Sequence, residues 1–511
     1  MRSSVLDLGS NSFHVLVADV HEAGYVDPVL REREMLHLGR VVADHGHIPD
    51  EHVQRALAQV EHLSELARRA GAVSRLAVAT SALRDASNGA EVVARIAEVA
   101  GHPVRVLPGH EEARLSYLGV RAAMGVAPGG LGVLDLGGGS LELAVGTRRT
   151  PDLVTSTNLG VSRLSALVED DPMSQDDRAR LREAIADELE LSGGAFDTHL
   201  PPRVVAVGGT VRAMARVVAR NDQTWTPMTL NRFPLTLDRL RDLRDDLCHL
   251  DLDGRADVKG MKSRRADHLH IATIILVEVL QHLDVDRLEV CDWGLREGVL
   301  LDAADTRTAP SVQELKDREV RRLHDEFTPD DGHDPHVAEL AVQLFDVTRE
   351  LHGLGDDQRQ VLHQASMVHD IGQALALRRH HKHGAYIIEN AELRGFSPAE
   401  CAQLVALVRF HSSRGLKDKH EAVRTMDDDR REATHVLLAL LQAADGLDRT
   451  RDQAVTGMRL GTVDEDMVEL HLEGEGLQIA RAELARRTEV FSRVFDRDLV
   501  VRTPADEPAP A

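Results

Sequence analysis

Three short turns of glycine and small polar residues have the clearest chemical potential in this sequence. They contain Asn11 and Ser12; Gly137, Gly138, Gly139 and Ser140; and Gly208, Gly209 and Thr210. Turns of this kind expose backbone N–H groups without side-chain obstruction, and such a concave surface binds phosphate oxygens. The third turn also precedes a predicted helix, whose amino terminus favours an anion. A single glycine turn often does no more than reverse the chain, but three of them predict phosphate binding.

Carboxylates lie close to these turns. Asp135 ends one apolar run and Glu142 begins the next, so a hairpin would direct both towards the same opening. Glu111 and Glu112 stand at a predicted helix start, where the helix dipole favours negative charge, and this role alone could explain them. A carboxylate beside bound phosphate is unfavourable unless it holds a divalent cation or activates water. Hydrolysis of a phosphoanhydride requires this combination.

In the amino half of the sequence, strands and helices must position these residues, and their alternation predicts an α/β fold. Apolar strand-like runs alternate with helical patterns. The run VLDLG at 5–9 recurs at 133–137, and a serine follows each copy at the same distance, at positions 12 and 140. Each copy predicts a strand, a tight turn and a second strand. We therefore predict two related α/β domains, 1–127 and 128–308, that share a cleft.

The second half of the sequence has a different pattern of apolar residues. Long helical patterns predict an all-α domain over 309–453, and alternating segments around one helix predict a small α+β unit over 454–502. The last residues, 503–511, have the proline, alanine and acidic content of a disordered tail. A chain of 511 residues exceeds what one hydrophobic core supports, which agrees with several domains.

Composition excludes several classes of function. A net charge of −23 argues against broad nucleic-acid or anionic-membrane binding, so neither is expected as a partner. The three cysteines, Cys248, Cys291 and Cys401, show no paired spacing and predict neither a disulfide scaffold nor a thiolate metal cluster. The sequence shows no signal peptide and no long apolar run, so a cytoplasmic location is expected.

The first ~300 residues, the length of about two domains, resemble the exopolyphosphatase/guanosine pentaphosphate phosphohydrolase (Ppx/GppA) family. The matching motifs, in the family's order, are DLGSNS at 7–12, TSALRDASN at 80–88, GHEEARL at 109–115, DLGGGSLE at 135–142, NLGVSRL at 158–164, VGGT at 207–210, RRAD at 264–267 and GLREGVL at 294–300. The resemblance implies an α/β fold with two actin-like (ribonuclease H-like, ASKHA) domains. An all-α HD-like domain and the small α+β unit would follow.

The resemblance also implies roles for individual residues. Glu112 falls where the family keeps the base for the attacking water, and Asp135 and Glu142 fall on positions that hold Mg²⁺ (or Mn²⁺) and the terminal phosphate. Arg84 matches a phosphate-facing arginine, although its neighbourhood alone would also fit a surface residue. The three turns match the family's phosphate loops. Arg264 and Arg265 are weaker candidates, because they could equally be solvated charges before a helix.

A histidine-rich set in the helical half is similar to the H…HD…H…H…D pattern of HD-domain phosphohydrolases. Its members are His336, His369, Asp370, His383, His411 and Asp445. Imidazole and carboxylate groups suit a divalent metal, so a second metal site is predicted here. The alternative is a domain without metal that binds phosphate chains or a partner subunit. His380, His381 and Lys382 could then form a basic rim that guides a polyanion.

The favoured function is an exopolyphosphatase that uses water and Mg²⁺ to release terminal orthophosphate from inorganic polyphosphate. The nearest alternative substrate is guanosine pentaphosphate (pppGpp), which ends in the same anhydride. A sugar-kinase-like phosphotransferase and a non-catalytic polyphosphate or alarmone sensor stay open as other classes. The family resemblance implies a homodimer.

Overall fold

A computed structural model describes residues 1–126, 128–196, 198–306, 309–328 and 332–506. The chain divides into an amino-terminal unit, Met1–Asp222 with Leu230–Leu315, and a carboxy-terminal unit, Gln223–Thr229 with Lys316–Ala511. The predicted domain limits at 127 and 308, and the predicted tail from 507 onwards, lie outside the described residues.

A five-stranded sheet, in the order β3-β2-β1-β4-β5, forms the first half of the amino-terminal unit. Its strands are β1 (Arg2–Leu8), β2 (Ser12–His21), β3 (Tyr25–Met35), β4 (Ser74–Ala79) and β5 (Arg105–Val106). The helices of this half are α1 (Leu38–His45), α2 (Asp50–Arg69), α3 (Ser81–Asp85), α4 (Gly89–Ala100) and α5 (Gly109–Met124). In α2 the buried residues recur every three or four positions, which gives one apolar face that packs on the sheet.

A six-stranded mixed sheet, in the order β10-β11-β9-β6-β7-β8, forms the second half. Its strands are β6 (Leu131–Leu136), β7 (Leu141–Gly146), β8 (Leu153–Thr157), β9 (Val204–Val207), β10 (Pro234–Thr236) and β11 (Arg287–Val290). Its helices are α6 (Val161–Leu164), α7 (Gln175–Leu191), α8 (Gly209–Asn221), α9 (Leu237–Cys248), α10 (Leu252–Asp257), α11 (Leu269–His282) and α12 (Leu295–Ala303). Helix α11 is apolar on nearly every side and is correspondingly buried among its neighbours.

The internal repeat corresponds to two hairpins with the same turn. In the β1–β2 hairpin the N–H of Gly9 donates to the carbonyl of Ser12 at 3.2 Å. In the β6–β7 hairpin the N–H of Gly137 donates to the carbonyl of Ser140 at 3.0 Å. Each first strand then continues the sheet through a parallel neighbour, β4 or β9. The two halves are therefore built on the same supersecondary unit.

The carboxy-terminal unit is mainly helical. Its helices are α13 (Val312–Phe327, which begins at the end of the preceding unit), α14 (His333–Val347), α15 (Arg349–His352), α16 (Asp356–Met367), α17 (His380–Asn390), α18 (Pro398–Phe410), α19 (Glu421–Arg424), α20 (Asp428–Leu447), α21 (Gln478–Ala485) and α22 (Thr488–Phe495). Helix α20 is central, because nearly every residue of its second half is buried against α14, α16, α18, α21 and α22. Four short 3₁₀ turns, two in each unit, span Ser165–Leu167, Ser263–Arg265, Ile371–Ala374 and Pro504–Asp506.

A three-stranded sheet completes this unit, with strands β12 (Val455–Val463), β13 (Met467–Gly474) and β14 (Asp498–Arg502). Val455 and Leu470 of the sheet belong to the same hydrophobic cluster as Leu441 of α20. The segment expected as a separate α+β unit thus shares one core with the helices. Thr503 and Asp506 are hydrogen bonded to each other, so described structure includes residues 503–506 of the expected tail. Among the described helices, none has the length and apolarity that crossing a membrane requires.

We expect Gly298→Ala to destabilise the amino-terminal unit, because helices α5 and α12 pack without room for a side chain. A Cβ at position 298 would lie 1.8 Å from the carbonyl oxygen of Leu115. Overpacking of this kind costs about 1–3 kcal/mol, which urea unfolding followed by circular dichroism would measure. Gly46→Ala is the control, since Gly46 has a positive φ but open space and should lose only about 1 kcal/mol. An equal loss for both variants would contradict the close helix contact.

Candidate functional site

The three glycine turns meet in one cavity of about 210 Å³ in the amino-terminal unit. The second and third turns follow β6 and β9, whose carboxyl ends lie side by side because the two strands are parallel. Twelve of the thirteen residues predicted for the catalytic and phosphate site line this cavity. They are Asn11, Ser12, Glu112, Asp135, Gly137, Gly138, Gly139, Ser140, Glu142, Gly208, Gly209 and Thr210.

The turns approach each other so closely that only glycine fits at the contact. A Cβ at Gly139 would lie 2.2 Å from the Oγ of Ser81, which stands at the start of α3 in the opposite half. The Oγ of Ser162 donates to Asn11 Oδ1 at 2.9 Å and joins the same two halves. These contacts hold the backbone N–H groups of both hairpins against one opening, which favours a bound oxyanion.

Two carboxylates share that opening because of strand register. Asp135 on β6 lies directly opposite Glu142 on β7. The hydroxyl of Ser116 donates to Asp135 at 2.5 Å, and the hydroxyl of Ser156 donates to Glu142 at 2.9 Å. Each carboxylate is thus oriented by serine hydroxyls, since Ser140 also bonds to Glu142. Adjacent carboxylate oxygens are the ligands that Mg²⁺ prefers, so this pair fits a magnesium ion.

The third carboxylate, Glu112, lies in the first turn of α5 and is only 7% exposed. Burial raises its pKa to about 8, although Arg84 opposes the shift. Burial likewise raises the pKa of Asp135, and raises that of Glu142 well above its usual range with help from the negative charge of Glu112. One cavity therefore holds three carboxylates that resist ionising together, which marks a place for a cation or a proton.

Arg84 is the predicted site residue that is not part of the cavity wall. Its Nη1 donates to Glu112 Oε1 at 2.6 Å and to the carbonyl of Leu107 at 2.8 Å. In this position it neutralises and orients Glu112. A direct contact between Arg84 and phosphate stays a prediction.

A group of arginines in the cavity wall was missed or weakly predicted from the sequence. The members that line the cavity are Arg33, Arg212, Arg265 and Arg296. Arg265 lies against the third turn, where its Nη1 donates to Thr210 Oγ1 at 3.2 Å. Burial and the charges of Arg212, Arg264 and Arg33 lower the pKa of Arg265 to about 10. This concentration of positive charge favours a bound anion in the cavity.

Two further residues of the first hairpin belong to the site. Asp7 occupies the repeat position of Asp135, and burial raises its pKa to about 6. Its strand partner His14 accepts a hydrogen bond at Nδ1 from Arg296 at 3.0 Å and lies 2.7 Å from Ser12 Oγ through Nε2. Burial and Arg296 lower the pKa of His14 to about 2, so the ring is neutral and Nε2 carries the hydrogen. The repeat itself was the signal that could have found Asp7.

The carboxy-terminal unit contains a second cluster of metal-ligating side chains. Two groups, each with its ligand atoms within 4.8 Å of one another, share Asp370. Their members are His333, Asp334, His369 and Asp370 in one group, and Asp370, His380 and His411 in the other. Asp445 adjoins them, with its Oδ1 3.8 Å from His333 Nε2 and 3.9 Å from His369 Nε2. Four of the six predicted members, His369, Asp370, His411 and Asp445, are thus brought together.

The other two predicted members, His336 and His383, lie outside these groups of ligand atoms. His333, at the first position of α14, and His380, at the first position of α17, take their places. Positions i and i+3 lie on the same side of a helix, but only the first residue lies level with Asp370 here. The Nε2 of His336 is buried without a hydrogen-bond partner among the described residues.

The second cluster attracts positive charge. Burial lowers the pKa of His369, but the carboxylates of Asp370, Asp334 and Asp445 outweigh burial and raise it to about 9. A proton on this buried ring therefore balances part of the carboxylate charge, and a divalent cation could take over that task. The donor set of imidazole nitrogens and carboxylate oxygens fits such an ion.

The fold and the cleft define a phosphatase of one family. Residues 16–307 match the Ppx/GppA phosphatase family, and residues 315–486 match domain III of Ppx/GppA phosphatases. Because the first match covers more than half of the chain, the protein belongs to the Ppx/GppA phosphatase family. It is a hydrolase of the phosphatase class, as predicted.

The chain is also similar in sequence to individual relatives that carry a protein name. The chain is 31% identical over 308 residues to a protein named Exopolyphosphatase 1 from Mycobacterium tuberculosis, which covers 60% of this chain and 89% of the relative. It is 30% identical over 330 residues to Exopolyphosphatase 1 of Mycobacterium leprae, covering 63% and 97%.

Solved structures agree with the fold. An exopolyphosphatase from Cytophaga hutchinsonii superposes with a TM-score of 0.55 at 27% identity and covers 61% of this chain and 100% of its own. The Aquifex aeolicus Ppx/GppA family member gives 0.52 at 26% identity, with 59% and 97% covered. The predicted fold class, α/β with two related halves followed by a helical carboxy-terminal region, is confirmed.

We expect Arg265→Met to weaken binding of inorganic phosphate to the cavity about tenfold, or about 1.4 kcal/mol, because one half-buried cation beside the third turn is lost. Isothermal titration calorimetry at two salt concentrations would measure the effect. Arg182→Met is the matched control, since Arg182 is paired with Glu278 and does not line the cavity. Equal affinities for Arg265→Met and the wild type would show that the arginine group is not an anion site.

Proposed function

We propose that the cleft hydrolyses the terminal phosphoanhydride bond of inorganic polyphosphate and releases orthophosphate. The observation that carries the proposal is one cavity lined by three carboxylates, the glycine turns and four arginines. The names of the mycobacterial relatives and of the Cytophaga structure support the same substrate.

Glu112 is the proposed general base. A base with a pKa near the working pH combines a useful ionised fraction with enough basicity to remove a proton from water, and burial gives Glu112 a pKa of about 8. Arg84 holds its carboxylate in one orientation through the 2.6 Å hydrogen bond. The water proton would pass to Glu112 while the water oxygen forms its bond to the terminal phosphorus. The bridging P–O bond would break at the same time, and the shortened polyphosphate would leave with the bridging oxygen.

Asp135 and Glu142 are the proposed magnesium ligands. Mg²⁺ bound there would neutralise charge on the phosphoryl group during transfer. The amides of the turns at 137–140 and 208–210 would donate to the phosphoryl oxygens, which positions phosphorus in front of Glu112. Ser116 and Ser156 keep the two ligands facing the opening.

The positive charge favours a polymer over guanosine pentaphosphate. Beyond the four arginines in the cavity wall, the charge continues on Lys262, Arg264 and Arg216, and burial together with these charges lowers the pKa of Lys262. Several neighbouring cations can neutralise several successive phosphates of a polymer, whereas a nucleotide also needs a surface that binds its base. In the described cavity wall the one aromatic side chain other than histidine is Trp293, which is 3% exposed.

Glu112→Gln should lower kcat for phosphate release from long-chain polyphosphate by about 10²–10⁴, because the proton acceptor is lost. KM should change little, since the cradle and the cations persist. A phosphate-release assay with polyphosphate and with guanosine pentaphosphate in parallel would measure both effects and rank the two substrates.

Glu111→Gln is the control for this variant. Its carboxylate is paired with Arg114 rather than with the cavity, so near-normal activity is expected. A Glu112→Gln enzyme with wild-type kcat would remove Glu112 from the mechanism. Guanosine pentaphosphate as the faster substrate would replace the polymer assignment with the nucleotide one.

Arg84→Gln should move the acidic limb of the pH–rate profile to higher pH. Arg84 lowers the pKa of Glu112, so its loss raises that pKa above about 8. A base must be deprotonated to act, and activity therefore falls as pH drops through its pKa. The measurement is kcat between pH 6 and 10, with Arg163→Gln as a control that also contacts Asp85 but not Glu112. An unchanged midpoint would contradict the coupling.

The predicted homodimer and the predicted cytoplasmic location stay predictions.

A further inference from the structure

We propose that His14 is a positioning residue of the cleft, which holds Arg296 through one ring nitrogen and the hydroxyl of Ser12 through the other. Both groups then present donors to a bound phosphoryl group. The inference rests on the proposed function for its effect on turnover, whereas its effect on phosphate binding is independent of any reaction. None of the motifs that predicted the site includes this histidine.

His14 projects from the middle of a row of side chains across the first sheet. It lies two residues after Ser12 on β2, so the two side chains are on the same face of the strand. Asp7 of β1 and Arg33 of β3 are its direct partners on either side. All four residues line the cavity, and Arg296 reaches the same place from the first turn of α12. The ring therefore stands between a phosphate turn and a cation.

The hydrogen bonds of this ring have one direction. A guanidinium can only donate, so His14 Nδ1 accepts from Arg296 Nη1 at 3.0 Å. An accepting Nδ1 places the hydrogen of the neutral ring on Nε2. Nε2 lies 2.7 Å from Ser12 Oγ and therefore donates to it. Each hydrogen bond in this chain thus points away from Arg296 and towards Ser12.

This direction decides what the hydroxyl of Ser12 can do. Its oxygen accepts from the ring of His14, so its own hydrogen points elsewhere. In the part of the chain that the structure describes, no protein group accepts this hydrogen, and Ser12 lines the cavity. Phosphoryl oxygens are strong acceptors, and a charged acceptor strengthens the hydrogen bond. Ser12 is therefore oriented to donate to phosphate.

The surroundings of His14 keep its ring neutral. Burial and four arginines lower the pKa of His14 to about 2. The four, with the largest effect first, are Arg296, Arg33, Arg212 and Arg265. A protonated ring would carry hydrogens on both nitrogens and would lose the hydrogen bond from Arg296. The arginines of the cavity thus preserve the form of the ring that directs Ser12.

Arg296 is held by a partner without charge. Arg212 of the same cavity faces Asp292 at 3.7 Å, so a carboxylate offsets part of its charge. The described hydrogen bond of Arg296 goes instead to the neutral ring of His14. Its side chain is fixed in place while its full charge stays available to an anion, which favours a strong hydrogen bond to phosphate. One histidine thus orients two phosphate donors.

Binding of inorganic phosphate to the full-length protein, measured by isothermal titration calorimetry, tests this role without turnover. His14→Phe keeps a ring but has no nitrogen, and the affinity should fall about tenfold or more, because two donors to a charged group lose their orientation. His14→Gln should stay within about threefold of the wild type, since its amide nitrogen can take the place of Nε2 and donate to Ser12. Equal losses for the two variants, or no measurable phosphate binding by the wild type, would overturn the role.

The contribution of the hydroxyl is tested in the Ser12→Ala protein. There His14→Gln and His14→Phe should differ in phosphate affinity by less than about twofold, because the amide has no hydroxyl left to orient. A full difference between them without the hydroxyl would show that the ring does not act through Ser12. His21→Phe is the matched control and should bind phosphate as the wild type does. His21 lies on the same strand, pairs with Asp27 at 2.9 Å and does not line the cavity.

Turnover separates this inference from the proposed function. The kcat/KM of His14→Phe for polyphosphate should fall about tenfold or more, and His14→Gln should recover most of the loss. Circular dichroism and thermal midpoints check that the variants are folded. A wild-type protein that releases no phosphate from polyphosphate, but whose variants bind phosphate in the expected order, would refute the proposed function and support the positioning role. Polyphosphate hydrolysis together with unchanged phosphate affinity in His14→Phe would refute the positioning role and leave the proposed function intact.

Discussion

The amino-terminal unit depends on the burial of three carboxylates in one cavity. Glu112, Asp135 and Glu142 are each withdrawn from water, and burial and mutual repulsion both oppose their ionisation. Such a cluster is unfavourable in an empty protein, so it must be held by packing that was formed for other reasons. The hairpin register, the close contact between glycine turns and the serine hydrogen bonds supply that packing. The cleft is therefore most stable when a cation reduces the repulsion, which links metal binding to the shape of the site.

The repeat explains why so much of this cleft could be predicted from sequence. Because VLDLG and the serine after it occur twice, the sequence predicts the same strand, the same turn length and the same partner strand in both copies. Strand register then places residue 142 opposite residue 135 without further information. The same logic applied to the first copy would have found Asp7. The arginines follow from no local pattern, because Arg33, Arg212, Arg265 and Arg296 come from separate elements and meet only through the tertiary fold.

In the helical half, less of the site could be predicted from the sequence. Residue types identified a metal-competent cluster, but helical periodicity defines a face rather than one residue on that face. His333 and His336 lie on nearly the same side of α14, and His380 and His383 on nearly the same side of α17. Which member lies level with Asp370 depends on where each helix begins relative to the central helix α20, and loose spacing between motifs leaves this undetermined. The shared core of α20 and the β12–β14 sheet is likewise a tertiary property that alternating segments do not reveal.

The two sites also differ in the cations their donors would select. Asp135 and Glu142 offer only oxygen, which suits hard ions such as Mg²⁺ that keep much of their water and exchange readily. Four imidazoles with Asp370 and Asp445 favour transition metals, which bind nitrogen more strongly. Oxygen donors leave room for phosphate oxygens to enter the coordination shell, whereas a nitrogen-rich set of donors holds a transition metal more firmly. Because the donor sets differ in kind, loss of metal from one site need not deplete the other.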